Sequence, residues 1–179
     1  MNQYIEQIGM ICVNKSFERP NWDEYFMLQA EIAKLRSNCL TRQIGAVIVR
    51  DNRQIATGYN GTPPGILNCI DGGCKRCQER INGKLNSGVN LERCLCTHAE
   101  ANAIMQCALF GNGSSTKDTT LYSTFAPCLE CSKMCITVGI KRIVVLHDYP
   151  EDGNILLQEA NIKLDKLKRK EILPWCKFI

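Results

Sequence analysis

No stretch of the 179 residues reaches the ~18 consecutive apolar positions of a membrane-spanning helix, so a transmembrane protein is not expected. The first residues, MNQYIEQIGMICVNKSF, lack the basic start and apolar run of a secretory leader. There is no internal repeat, no low-complexity block and no long linker, which leaves one domain of ordinary size. Charge of one sign is also scarce. The net charge is +4 with 22% of residues charged. A nucleic-acid surface shows a stronger basic bias or interleaved aromatics, so polymeric nucleic acid is not an expected partner. The basic run KLDKLKRK, Lys163 to Lys170, reads as a solvated helix face. What the chain does not lack is cysteine, with 12 in all. A domain of this length needs no disulfide staples. With no leader, a cytoplasmic, reducing location is expected, where clustered thiols bind metal or act in catalysis.

Periodicity divides the chain. NWDEYFMLQAEIAKLRSN reads as a helix capped by Asn21, with Asp23 and Glu24 in its first turn. Ile44–Val49 and Gln54–Thr57 read as a hairpin turning at Asp51-Asn52. From Gly58 to Cys96 the pattern fails, and the segment reads as a long loop that something must hold. Then come a helix over His98–Leu109, a strand over Thr119–Thr124 and a helix over Cys128–Val138. A strand over Lys141–His147 follows, with Gly139 as a C-cap before it, and then a helix over Asp152–Ala160. Residues 161–179 are ambiguous, with room for a last strand and a short helix. A hairpin followed by strand–helix alternation predicts an α/β fold: a mixed sheet with helices on both faces.

Two short motifs carry chemistry. His98-Ala99-Glu100 opens one predicted helix, and Pro127-Cys128-Leu129-Glu130-Cys131 opens the next. Cys128 and Cys131 are three apart, so one helical turn aims both thiols at the same point. A helix N-terminus and a cation both favour the thiolate. His98, Cys128 and Cys131 thus supply the three ligands of a catalytic zinc with its fourth position open. Glu100, two residues from His98, does not readily ligate the same ion, but it can reach that open position as a proton carrier. Each piece alone has a blander explanation: a surface histidine, a redox Cys-x-x-Cys pair, a solvated glutamate. Together they form the signature of zinc nucleobase deaminases.

From about Trp22 to Tyr149 the chain resembles the cytidine deaminase-like superfamily, and within it the deoxycytidylate (dCMP) deaminases. WDEYFM, RQIGAVIV, GYNGTPPG, HAEANAI and PCLECSKM…GIKRIVV carry the resemblance. It implies a three-layer α/β/α fold with a five-stranded mixed sheet. It also implies that residues 21–179 form the catalytic domain, with 1–20 as an extension and a Cys-rich insertion at about 66–96. The activity implied is zinc-dependent hydrolysis of dCMP to dUMP and ammonia, supplying dUMP for dTMP synthesis. Glu100 is then the acid–base group, the Ala99 amide orients the ring, and Asn60 holds the sugar. Arg42 is the first choice for the phosphate and Arg36 the second. The resemblance further implies a homo-hexamer activated by dCTP and inhibited by dTTP, with Mg2+ possible on these triphosphates. Gly58, Tyr59, Asn60 and Gly61 are its effector site. The rivals are a dCTP deaminase, a tRNA adenosine deaminase, or a zinc-stabilised nucleic-acid-binding module using Lys75, Arg76, Arg80 and Lys84.

Six further cysteines remain near this region. Cys74/Cys77 and Cys94/Cys96 are two short chelating pairs that suit a four-cysteine structural zinc. Cys39 and Cys69 are competing ligands, and six thiols can also share two ions. Cys12, Cys107, Cys135 and Cys176 read as small apolar side chains, and His147 as structural.

Overall fold

In this computed structural model the described residues are 19–110, 116–148 and 153–176. Asn21 and Glu24 exchange side-chain-to-backbone hydrogen bonds, both 2.9 Å, and this capping box starts helix α1 (Trp22–Ala33). A 3₁₀ turn, Lys34–Arg36, ends it. Strands β1 (Gly45–Arg50) and β2 (Arg53–Tyr59) form the expected hairpin. Its turn residues Asp51 and Asn52 both take the left-handed conformation that two-residue hairpin loops require. A short helix α2 (Lys75–Ile81) follows, then α3 (Ala99–Phe110), β3 (Thr120–Phe125), α4 (Leu129–Thr137) and β4 (Arg142–His147). The last described elements are α5 (Gly153–Glu159), β5 (Lys163–Lys166) and α6 (Arg169–Cys176).

The five strands lie in the order β2-β1-β3-β4-β5. β1 is antiparallel to both β2 and β3, whereas β3, β4 and β5 run parallel. Alternation along each strand feeds two cores. Ala46, Ile48, Leu121, Ile143 and Val145 pack under α3, α4 and α5 with Ala103, Cys107, Cys135 and Leu157. Val47, Val49, Tyr122, Val144 and Leu146 pack on the other face with Phe26, Met27, Ala30 and Ile172 from α1 and α6. The result is the three-layer α/β/α sandwich expected. Cys107 and Cys135 are buried apolar side chains as anticipated, while Cys12 and the side chain of Cys176 lie outside the described residues. His147 packs against Phe125, 4.8 Å between ring centres and tilted by 36°.

Close helix–sheet approach depends on small residues. A Cβ at Gly58 would stand 2.1 Å from the Ala99 carbonyl oxygen and 2.5 Å from the Ala103 nitrogen. No side chain fits there, so α3 seats directly on β2.

Two expectations need correction. Residues 58–96 are not all loop: they hold α2 and 3₁₀ turns at Cys69–Asp71 and Leu91–Arg93. These pieces bury thiols rather than an apolar stripe, so no helical period marks them. The run KLDKLKRK is not one helix face either. Its first four residues are β5, which among the described residues pairs with β4 alone, and its last two belong to α6. Charged side chains are what an edge strand carries, and they hid its extended conformation.

An ionic knot fastens α1 to the sheet. Arg142 donates to both carboxylate oxygens of Asp23 and to Asp165 Oδ2, each at 2.7 Å, and the Tyr122 hydroxyl donates to Asp23 Oδ1 at 2.7 Å. The Arg142 bonds hold the Asp23 carboxyl below its ordinary value, against partial burial. A depressed folded-state pKa contributes stability above the unfolded value, and that stability is lost as pH falls. Asp23→Asn should therefore be less stable than wild type at pH 7, with the gap closing below about pH 4. Urea midpoints at both pH values check this; a gap that does not change contradicts it.

Candidate active site

Both motifs fall at helix N-termini. Cys128 is the N-cap of α4, and Cys131 lies one turn on. His98 sits just before α3, with its carbonyl accepting the Asn102 N–H at 2.9 Å. Since α3 is locked onto β2 and α4 follows β3, the two ends converge at the carboxyl end of β3. His98 Nδ1 lies 3.3 Å from Cys128 Sγ and 3.5 Å from Cys131 Sγ. Bonds of 2.3 Å to sulfur and about 2.0 Å to nitrogen put the S–N edge of a zinc tetrahedron at about 3.5 Å. One imidazole and two thiols at this separation therefore fit zinc. The thiol of Cys128 is held at about 4 by hydrogen bonds with Cys131 and His98, despite burial. His98 is raised to about 9 by the same Cys128 contact. A cation entering such a charge-separated pair displaces its proton.

Glu100 occupies the first turn of α3 and is 3% exposed. Its Oε1 accepts from the Ser123 hydroxyl at 3.3 Å, and its Oε2 faces the Cys131 thiol at 3.7 Å. Burial pushes its carboxyl upward, against the opposing pull of His98.

The cleft above these groups is lined by Arg42, Asn60, Arg76, Arg80, His98, Glu100 and Cys128, among others. Arg42 lies over the Phe125 ring at 4.7 Å and reaches Ser87 at 3.4 Å. Arg36 is exposed at the end of its 3₁₀ turn and is not in the lining. Two arginines not expected as substrate ligands line the cleft instead. Arg76 is buried and grips the Val89 carbonyl through Nε and Nη2 at 3.0 and 2.8 Å. Arg80, one helical turn further on α2, has no side-chain hydrogen bond or ion pair among the described residues. The i, i+4 spacing was the available signal, but it is legible only once 75–81 is known to be helical. A larger cavity, about 700 Å³, lies beside Trp22, Tyr25 and Arg53, and its lining holds no cysteine, histidine or carboxylate.

The GYNG stretch is bound into the scaffold. Gly58, Asn60 and Gly61 are buried, Tyr59 O accepts from Asn102 at 2.8 Å, and Gly61 bridges to Thr97. Asn60 Oδ1 accepts from the Ser37 hydroxyl at 2.8 Å and from the Ile44 N–H at 2.7 Å. Its Nδ2 donates to the Arg42 carbonyl at 2.7 Å and has a second hydrogen to give. Ala99 is fully buried.

Cys39, Cys69, Cys74, Cys77, Cys94 and Cys96 come together beside this cleft. They form two sets of four with every sulfur in a set within 4.8 Å of the others.

The model of the cytidine and deoxycytidylate deaminase zinc-binding region matches residues 20–147. The chain belongs to that family. A deoxycytidylate deaminase of Schizosaccharomyces pombe is 44% identical over 154 residues, covering 85% of this chain and 46% of that protein. The chain thus spans less than half of the yeast relative. A deoxycytidylate deaminase of Mycobacterium phage D29 is 39% identical over 141 residues, covering 75% of this chain and 98% of the phage protein. Among solved structures, dCMP deaminase from cyanophage S-TIM5, in complex with dCMP and dUMP, has a TM-score of 0.67 and 31% identity. It covers 84% of this chain and 99% of the phage chain. The fold and the convergence of the two motifs are what this deaminase family leads one to expect.

Asn60 bonds Ser37, Arg42 and Ile44 from a buried position. Asn60→Ala removes the bonds to the Ser37 hydroxyl, the Ile44 N–H and the Arg42 carbonyl, and should cost about 2–4 kcal/mol. Denaturant unfolding checks it; a stability within about 0.5 kcal/mol of wild type contradicts it.

Proposed function

We propose that the chain hydrolyses dCMP to dUMP and ammonia, with His98, Cys128 and Cys131 holding zinc and Glu100 moving the protons. One observation carries this: a buried carboxylate stands against a three-donor site at the floor of a cleft rimmed by arginines. Three protein ligands with a fourth position open distinguish a catalytic from a structural zinc. The names of the relatives support the choice of dCMP. Zinc, when bound, supplies the Lewis acidity that activates water for attack at neutral pH.

The chain's own residues do the rest. Glu100 takes a proton from the attacking water, whose oxygen bonds to C4 of the cytosine ring. Glu100 gives that proton to N3, then carries the proton of the new C4 hydroxyl to the exocyclic amino group. The C4–N bond breaks, ammonia leaves and the C4 carbonyl of dUMP remains. A carboxyl raised by burial suits a group that serves as base and then as acid. Ser123 orients it from below. Asn60, with one amide hydrogen left, takes the sugar. Ala99, at the first turn of α3, has a free helix N-terminal amide for the ring. Arg42 and Arg80 take the phosphate. The six-cysteine cluster holds zinc in a structural role. We extend the family expectation of a hexamer, activated by dCTP and inhibited by dTTP with Mg2+, to this chain and to Gly58–Gly61. Indifference of turnover to both triphosphates would exclude it. Arg76, being buried and bonded to Val89, is withdrawn from the surface that a nucleic-acid-binding module would need.

Ammonia release from dCMP, dCTP, cytidine and deoxycytidine tests the substrate, and dCMP should be preferred. Glu100→Gln should keep its zinc but lose at least about 100-fold in rate. A variant that stays active contradicts the proton role. Arg80→Ala should raise KM for dCMP by about 10-fold or more while leaving deoxycytidine turnover unchanged. An equal loss on both substrates would show that Arg80 does not read the phosphate.

A further inference from the structure

Six thiols meet around α2, and they come from four segments. Cys39 follows the end of the first helix, and Cys69 lies in a 3₁₀ turn. Cys74 is the N-cap of α2 and Cys77 lies within it, while Cys94 and Cys96 run toward His98. Five of the six are buried and Cys94 is half-buried. None is in a disulfide. The pairs Cys39–Cys77, Cys74–Cys94 and Cys77–Cys94 are each 3.9 Å between sulfurs. A disulfide requires about 2.05 Å. The S–S edge of a zinc tetrahedron with 2.3 Å bonds is about 3.8 Å. The cluster therefore has the dimensions of a metal thiolate site.

The ligand sets decide how many ions it holds. One tetrad is Cys39, Cys69, Cys77 and Cys96, and the other is Cys74, Cys77, Cys94 and Cys96. They intersect in Cys77 and Cys96. A single ion in either tetrad uses both shared sulfurs and leaves two thiols in the other half, drawn to tetrahedral spacing with nothing to bind. We infer that the cluster is a binuclear centre: two divalent zinc ions held by six thiolates, with Cys77 and Cys96 bridging both. Cys39 and Cys69 are terminal ligands of one ion, and Cys74 and Cys94 of the other. This centre presupposes the structural-zinc role proposed above and fixes its stoichiometry.

The surroundings suit the charge. Six thiolates and two divalent ions leave a net charge of about −2, and the buried cation Arg76 stands next to Cys77 in the chain, with its guanidinium on the Val89 carbonyl. The Leu40 N–H points at Cys69 Sγ at 3.3 Å, and the Thr41 hydroxyl lies 3.5 Å from Cys39 Sγ. Such donors orient thiolate ligands from outside the coordination sphere. The centre also has a task. Cys39 is three residues from Arg42, Cys96 is two from His98, and α2 carries Arg80. Two ions thus fasten three sides of the cleft that no apolar core supports.

Zinc analysis of the purified full chain tests this. Wild type should carry about three ions per chain, counting the catalytic one. Cys39→Ser and Cys74→Ser should each lower the count by one, and Cys77→Ser by two. A wild-type count of two, unchanged by Cys39→Ser or by Cys74→Ser, would show a mononuclear site and overturn the binuclear centre. A count of one would remove structural zinc altogether while leaving the deaminase assignment to its own assay. Since the variants can misfold, ¹¹³Cd NMR of the cadmium-exchanged wild type provides a second test. Two tetrathiolate resonances split by mutual Cd–Cd coupling are expected, apart from the unsplit signal of the His98, Cys128 and Cys131 site, and a lone unsplit tetrathiolate resonance overturns the proposal.

Discussion

Two helix N-termini have to meet within one coordination sphere, and the rest of the molecule serves that meeting. α3 brings His98 and Glu100, and α4 brings Cys128 and Cys131. The separations of 3.3 and 3.5 Å between imidazole and thiols leave little tolerance. The contact that sets α3 is the bare backbone of Gly58, where a methyl group would collide with Ala99 at 2.1 Å. The contact that sets α4 is the short link from β3, on which Ser123 and Phe125 also face the site. The sheet is thus a gauge that fixes the spacing of two helix starts, which suits a reaction that needs a cation and a proton carrier side by side.

A second constraint operates on the open side of the cleft. The segment from 66 to 96 buries little apart from thiols, and loops of that length do not hold themselves. Thiol convergence takes the place of an apolar core there. The consequence reaches the cleft, because Arg42, Arg80 and His98 all hang on chain that the cysteines anchor. Family members are recognised by their catalytic motifs. How this chain holds the rim of its pocket depends on residues outside those motifs.

How legible this was in the sequence depended on the range of the signal. The catalytic donors were readable because each pair lies within one helical turn, and the chemistry of zinc then demands that the pairs meet. The hairpin, α1 and the alternating strands were readable from apolar period and from Asn21, Asp51-Asn52 and Gly139. β5 was not, since Lys163–Lys166 is an edge strand whose charges mimic a solvated helix. α2 was not, because Lys75–Ile81 packs Cys77 and Arg76 inward and so lacks an apolar stripe. With α2 hidden, Arg76 and Arg80 could not be seen to share one face, and Arg36 was an expectation that the fold leaves outside the cleft. The cysteine set stayed ambiguous for a related reason: sequence spacing shows chelating pairs, whereas which pairs share a centre is a matter of tertiary distance.

The proposed chemistry depends on the geometry around one ion. Anomalous diffraction at the zinc edge, from crystals of the full chain grown with dCMP, measures it directly. A peak bonded to His98 Nδ1 and to the Cys128 and Cys131 sulfurs at about 2.0–2.3 Å, with the Glu100 carboxylate beside it but not ligating, is the predicted result. A peak ligated by Glu100, or none between these three residues, would contradict it.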